Sequence, residues 1–336
     1  RQRQMCIRDS YYLTVPRQNV ETGFWLESDR MLSLDFSERS LEVQRGVVME
    51  EFKQRCLNQP YGDIGHLLRP LAYQTHPYQW PTIGKELSHI ANATLEEVKA
   101  FFFRFYAPNN AILAVTGNIS FEEAVELTEK WFGSVPRREV PVRNLPQEPE
   151  QTEERRLTVE RNVPLDSLFM AYHMCDHRHP DYYVFDILSD VLSNGRSSRL
   201  NQHLVQEKQL FSSIDAYISG SVDAGLFHIA GKPSAGVSLE LAEAAVRDEL
   251  DRLQQELVDG QELEKVKNKF ESTQIFGNIN YLNVATNLAW FELLGKAEDL
   301  EKEVERYRSV TAMQLREVAQ SAFRKENGVV LYYKSK

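Results

Sequence analysis

Long apolar runs are missing from this sequence: nothing approaches the roughly 18 consecutive apolar residues of a membrane span, so no segment reads as a transmembrane helix. Cysteine is scarce as well. Cys6, Cys56 and Cys175 have neither disulfide-framework nor zinc-site spacing, which fits a reducing, cytoplasmic compartment or plain core use, with the periplasm as the alternative. Positive charge is in deficit, with 39 Lys and Arg against 49 Asp and Glu, a net charge of −10 and no Lys/Arg-rich stripe. That balance argues against nucleic acid as a partner. Residues 1–10 have neither a signal-peptide apolar core nor transit-peptide length, and read as a non-native leader outside the fold.

The remainder is ordinary globular material, 42% hydrophobic and 26% charged, in a length that holds about two domains. Residues 36–55 predict a helix. Ser37 is placed to cap it, acidic Glu38 follows in the first turn, and Leu41, Gln44, Val48 and Phe52 recur at helical spacing. Leu41, Gln44, Val48, Glu51 and Arg55 share one stripe of that helix. An arbitrary helix glutamate is solvated, and that is the plain reading of Glu51 taken alone.

Past this helix, Asn58-Gln59-Pro60-Tyr61-Gly62 breaks the pattern before Leu67, Leu68, Leu71 and Tyr73. Thr94 caps a helix over 95–106, a strand is expected over Ala111–Val115, and a helix over Phe121–Phe132. Pro136, Pro141, Pro146 and Pro149 then sit among charged residues, marking 136–155 as a linker between a first domain, 11–135, and a second, 156–336. In the second half the pattern predicts strands at Leu157–Glu160, Leu168–Tyr172, Ser212–Ser219, Leu226–Ala230 and Val329–Tyr333. Helices are expected over 181–192, 198–207, 238–256, 261–294 and 311–323.

Thr311–Tyr332 lies ungapped on Thr94–Val115 at an offset of 217, with Leu315 on Val98, Phe323 on Tyr106 and Asn327 on Asn110. A duplication follows. If the second copy starts near Arg156, the first starts about 60 residues before residue 1. At the same offset Glu51 falls on Asn268, and if Leu41 is set on Leu263 it falls on Thr273. Neither is a carboxylate.

The string Gln44-Arg45-Gly46-Val47-Val48-Met49-Glu50-Glu51 resembles the second metal-ligand helix of the pitrilysin/insulinase (M16) zinc peptidases, the inverted zincins, usually close to Glu-Arg-x-Val-Val-x-x-Glu. Tyr11-Tyr12-Leu13-Thr14-Val15-Pro16, Trp25–Met31, His76-Pro77-Tyr78, Ile83-Gly84 and Tyr106–Ala111 resemble further landmarks of that family, in its order. The resemblance implies an α+β fold of two duplicated domains, each a mainly antiparallel sheet with helices on one face, like LuxS and mitochondrial processing peptidase. It implies a zinc-dependent endopeptidase acting on peptides or unfolded segments, with Glu51 as a zinc ligand. Gln44 stands where the family has an accessory glutamate; an amide can hydrogen-bond there but cannot act as acid or base. The family's His-x-x-Glu-His motif, with two zinc ligands and the catalytic base, belongs roughly 75 residues before Glu51. Only 50 residues precede Glu51, so the catalytic residues are expected upstream of residue 1 and the chain as given is expected to be inactive.

In single-chain relatives the second domain adds an Arg and a Tyr that hold substrate; Val205 and Ser212 occupy those positions here. The resemblance therefore implies a second M16-type subunit carrying that pair. The alternative is a non-catalytic assembly or peptide-binding subunit of the same fold. Three other motifs have structural readings. His173-x-Cys175-x-His177-x-His179 has soft-ligand character, but Pro180 follows and the run reads as a strand's polar exit. His76 reads as a packing landmark, and Asn194–Arg199 as an interhelical turn rather than an anion loop.

Overall fold

The structure, a computed structural model, describes residues 4–5, 9–140, 142–220 and 222–336. The expected leader therefore lies largely outside the described residues, as do Cys6 and Pro141. In chain order the elements are β1 (Gln4–Met5), β2 (Asp9–Ser10), α1 (Val20–Leu32), α2 (Glu38–Phe52), α3 (Ile64–Ala72), α4 (Leu87–Ala91), α5 (Leu95–Phe105) and α6 (Phe121–Phe132). There follow β3 (Arg155–Arg161), β4 (Ser167–His173), α7 (Tyr182–Ser193), a π-helical segment Leu200–Glu207, β5 (Phe211–Ser219), β6 (Leu226–Pro233) and α8 (Leu239–Gln255). The chain ends with α9 (Gly260–Gly277), α10 (Tyr281–Leu294), α11 (Glu303–Ser309), α12 (Ala312–Ala322) and β7 (Gly328–Ser335).

The chain divides into two compact units that interleave in sequence. One comprises residues 1–58, 81–145 and 276–300; the other comprises 59–80, 146–275 and 301–336. The two excursions, 59–80 and 276–300, begin 217 residues apart, which is the repeat offset. Corresponding segments of the two copies thus end up in each other's unit.

The second unit holds a five-stranded sheet in the order β3-β7-β4-β6-β5, antiparallel except for the parallel β3–β7 pair. Alternation along β7 fixes its two faces. Val330 and Tyr332 join Leu168, Met170, α7, α8 and α12 in the larger core. Val329, Leu331 and Tyr333 face the other way, against Leu68, Ala72, Tyr73 and Tyr78 of the 59–80 excursion. The expected helical layer thus covers one face, and α3 adds a cover on the other. Arg155 Nη1 closes the end of α3 by donating to the carbonyls of Leu71 and Ala72 at 2.8 and 3.0 Å. The later part of the expected linker is fastened here as well. Glu148 accepts from the backbone N–H groups of Gln74, Thr75 and His76 at 2.7 to 2.9 Å, and buried Gln151 donates to the Gly328 carbonyl.

The first unit is helical apart from the β1–β2 ladder among the described residues. Ser37 caps α2 through a reciprocal box with Ser40, and Thr94 caps α5 through a box with Glu97. The strand expected over Ala111–Val115 does not form a ladder: among the described residues no strand pairs with it, and a β-strand is defined by a partner. Its carboxyl end is tied to the excursion helix, with Thr116 Oγ1 donating to the Tyr281 carbonyl at 2.7 Å.

Candidate functional site

Helix α2 presents the residues singled out by their pattern. Its anchored side carries Arg45, whose Nη2 donates to the Ala93 carbonyl at 2.6 Å just before the Thr94 cap, and Phe52, which is buried. Val43 and Val47 point away from the packed side and are exposed, as is Gln44. Glu51 is partly covered, with 32% of its side chain exposed, and its Oε1 lies 3.0 Å from Arg55 Nη2 one turn on. An ion pair of this kind in solvent contributes about 0.3 to 0.5 kcal/mol, so nothing in the pair fixes Glu51 firmly.

A catalytic zinc needs three protein ligands and an open position. Among the described residues no group of three His, Cys, Asp or Glu side chains converges, at Glu51 or elsewhere. The residues present therefore do not fit a catalytic zinc by themselves; Glu51 offers one carboxylate.

The duplicate helix α9 sharpens the comparison. Its Lys267 Nζ donates to the Arg308 carbonyl at 2.9 Å, shortly before the Thr311 cap, as Arg45 does before Thr94. Lys267 follows Arg45 by 222 residues, the spacing of Leu41 to Leu263, the register in which Thr273 falls on Glu51. Its hydroxyl is spent on the Lys269 carbonyl of its own helix, at 2.9 Å.

The other motifs resolve as structure. His177 stacks on Tyr182 with ring centres 3.8 Å apart, and His179 Nδ1 accepts from the Asp181 N–H at the start of α7. Cys175 is partly buried against the large core, and that burial pushes its thiol up to about 12, away from the thiolate a metal ligand needs. His76 is buried; its Nδ1 accepts from the Tyr78 N–H, which leaves Nε2 to donate to Asp223 Oδ2 at 3.2 Å. The Asn194–Arg199 turn is closed by Ser198 Oγ on the Gly195 carbonyl and by Lys265 on Ser197. Val205 packs against the large core, and Ser212 Oγ donates to the Lys232 carbonyl, so neither supplies the guanidinium or phenol of the family's pair.

One feature was not singled out from the sequence. Asp186 and Asp190 of α7 join Asp215 and Tyr217 of β5 around a cavity of about 550 Å³ in the second unit. Burial pushes the Asp186 carboxyl up to about 6, against a hydrogen bond from the Tyr307 hydroxyl, with Asp190 adding to the rise. Burial also raises Asp190, which Asn194 and Lys269 partly counter. Two aspartates one turn apart in a mostly apolar helix were the available signal.

The M16 model described as "Peptidase M16 inactive domain" matches residues 92–270. The zinc protease PqqE of Helicobacter pylori is 29% identical over 260 residues, covering 76% of this chain; the chain spans only 58% of that relative's length. An uncharacterized zinc protease, YmxG of Bacillus subtilis, is 24% identical over 96% of this chain and 77% of its own. The crystal structure of a protease from Helicobacter pylori superposes with a TM-score of 0.88 at 26% identity, over 95% of this chain and 78% of the other.

Proposed function

Since this chain belongs to the M16 peptidase family, we propose that the native protein is a zinc-dependent endopeptidase acting on peptides or unfolded segments, with Glu51 as one metal ligand. The observation that carries this reading is Glu51 itself, a half-exposed carboxylate in the family's string on a helix whose outer side is bare. Relatives named zinc proteases support the same class. One carboxylate does not hold a catalytic zinc, so the 336-residue chain is inactive in this reading and the remaining ligands and the base come from outside it. Gln44 supplies at most a hydrogen bond to a neighbouring ligand.

Val205 and Ser212 at the substrate-holding positions support a two-subunit enzyme, in which a second M16-type chain brings the Arg and Tyr. The "inactive domain" description of the matching family model supports the other reading, a non-catalytic peptide-binding or assembly subunit. Metal content and chelator-sensitive peptide cleavage separate them. The expected result is no stoichiometric zinc for the 336-residue chain, and one zinc per chain for the protein extended by its upstream coding sequence. Zinc-free extended protein would move the assignment to the binding subunit.

A further inference from the structure

From Val142 to Gln147 the proline-rich linker is exposed, and the described residues of 136–152 form no helix or strand. Pro146 and Pro149 also remove two N–H groups that could anchor it. Glu148, between them, is nevertheless firmly held. The Gln74 N–H donates to its Oε1 at 2.7 Å, and the Thr75 and His76 N–H groups donate to its Oε2, both at 2.9 Å. Thr75 Oγ1 lies 3.1 Å from Oε2 and equally far from the Gln147 carbonyl, with one proton to share between them. Three successive N–H groups turned on one carboxylate form an anion-binding concavity. Charge-assisted bonds of this kind are roughly twice as strong as neutral ones. Burial pushes the Glu148 carboxyl up, but the donors of His76, Gln74 and Thr75 outweigh burial and hold it below its ordinary value.

The turn that carries these N–H groups is shaped by other contacts. Before it, the Tyr73 N–H donates to the Arg69 carbonyl at 2.8 Å, and Arg155 fixes the carbonyls of Leu71 and Ala72. After it, buried His76 takes the Tyr78 N–H on Nδ1 and reaches Asp223 through Nε2. The buried rings of Tyr73 and Tyr78 pack edge to face, and the Tyr73 hydroxyl donates to the Ala224 carbonyl at 3.0 Å. Only Gln74 and Thr75 are exposed between these fixed points. Without Glu148 the three N–H groups therefore keep their direction and turn to water. The chain is fastened independently on either side of Glu148, by Arg138 on the Tyr106 carbonyl at 2.9 Å and by Gln151 on the Gly328 carbonyl at 2.7 Å.

We infer that Gln74–His76 is a preformed carboxylate-binding site whose resident ligand is Glu148, so that the linker is held by a detachable latch. The ligand class is a single ionised carboxylate. Tethering gives Glu148 a high effective concentration, so the latch is closed by default. On release the linker lifts away while the site stays intact and open to a free carboxylate. Zinc plays no part in this.

Hydrogen exchange and limited trypsin digestion of the 336-residue protein test the latch in Glu148→Ala, with neighbouring Glu150→Ala as control. In Glu148→Ala the amides of Gln74–His76 exchange faster by about tenfold or more, and cleavage after Arg143 speeds up. Sodium acetate then slows those amides again, whereas sodium chloride at equal ionic strength does not, and cleavage after Arg143 stays fast in both. Glu150→Ala changes neither readout. Amides in Glu148→Ala that exchange as in the wild type, or that stay open in acetate, overturn the inference. So does acetate that restores resistance after Arg143 as well, since that is general stabilisation, or a Glu150→Ala variant that opens the same amides.

Discussion

Asn110 and Asn327, 217 residues apart, make the same hydrogen bond. Each donates Nδ2 to the carbonyl five residues earlier, Phe105 and Ala322 respectively, at 2.8 Å, and each closes the short 3₁₀ turn after its helix. The preceding helices are both 11 residues long and both begin on a threonine capping box. A shared helix-then-strand pattern arises by chance often enough; a shared cap, length and terminal amide do not.

The surroundings of the two amides differ, and so do the expected costs of removing them. Asn327 is buried and also donates to the His173 carbonyl at 3.0 Å. Asn327→Ala is expected to cost about 1 to 3 kcal/mol, because two buried carbonyls lose their donor, while exposed Asn110→Ala costs under about 1 kcal/mol. Urea denaturation of the two variants checks the order.

Glu243 ties α8 to the sheet. It accepts from Arg156 at 2.6 Å and from the Tyr332 hydroxyl at 2.5 Å, and it also pairs with Arg247. Burial pushes its carboxyl up, but these donors outweigh burial and hold it at about 2. A depressed carboxylate stabilises the fold above its unfolded value, about 4.5, and that contribution is lost as pH falls through the folded value. Thermal midpoints should therefore fall between pH 4.5 and 2, and less steeply in Glu243→Gln. At pH 7 that variant should be about 3 to 5 kcal/mol less stable, as for a broken buried pair.

Glu303 works in the opposite direction. Burial and the nearby Asp186 push its carboxyl up to about 7, with Arg306 opposing, and Gln274 donates to it from the end of α9. A raised acid binds more protons in the folded state than in the unfolded state, so stability drops as pH rises from about 4.5 to 7. Glu303→Gln keeps an acceptor for Gln274 and has no proton to lose. It should be more stable than wild type at pH 8 and equal to it near pH 4, a crossover that a pH series of melting curves reads directly.

Glu51→Gln removes one half-exposed ion pair. In the 336-residue chain the change in stability should be under about 0.5 kcal/mol. In the upstream-extended protein the same substitution should lower zinc affinity by at least about tenfold, measured by competition with a chromogenic chelator.

Gly231 of β6 faces the ring of Phe211, and an added Cβ would lie 2.5 Å from it. Phe211 is fully buried, so it has nowhere to turn. Gly231→Ala should cost about 1 to 3 kcal/mol as overpacking, seen as a lowered denaturation midpoint with an unchanged slope.

Much of this was legible in the sequence because the signals were local. Ser37, Thr94 and Thr311 cap the helices that follow them, and the second-half strands lie within a few residues of their apolar runs. What was not legible depends on distant partners. Ala111–Val115 has strand composition, but composition supplies no neighbour to pair with. Leu68 and Tyr73 are apolar for the sake of Leu331 and Tyr333, more than 250 residues later, and periodicity carries no such address. Glu51 was singled out by its string; that no group of three His, Cys, Asp or Glu converges on it among the described residues follows from geometry.

The crossed excursions bear on how the gene can be cut. Dividing it at the proline-rich stretch would leave residues 59–80 on the first product and 276–300 on the second, each on the wrong side of the cut. The second product would uncover the face of its sheet that Leu68, Ala72, Tyr73 and Tyr78 now occupy. The two halves are separable as sequence repeats but not as independent expression units, and each is expected to remain soluble only when made together with the other.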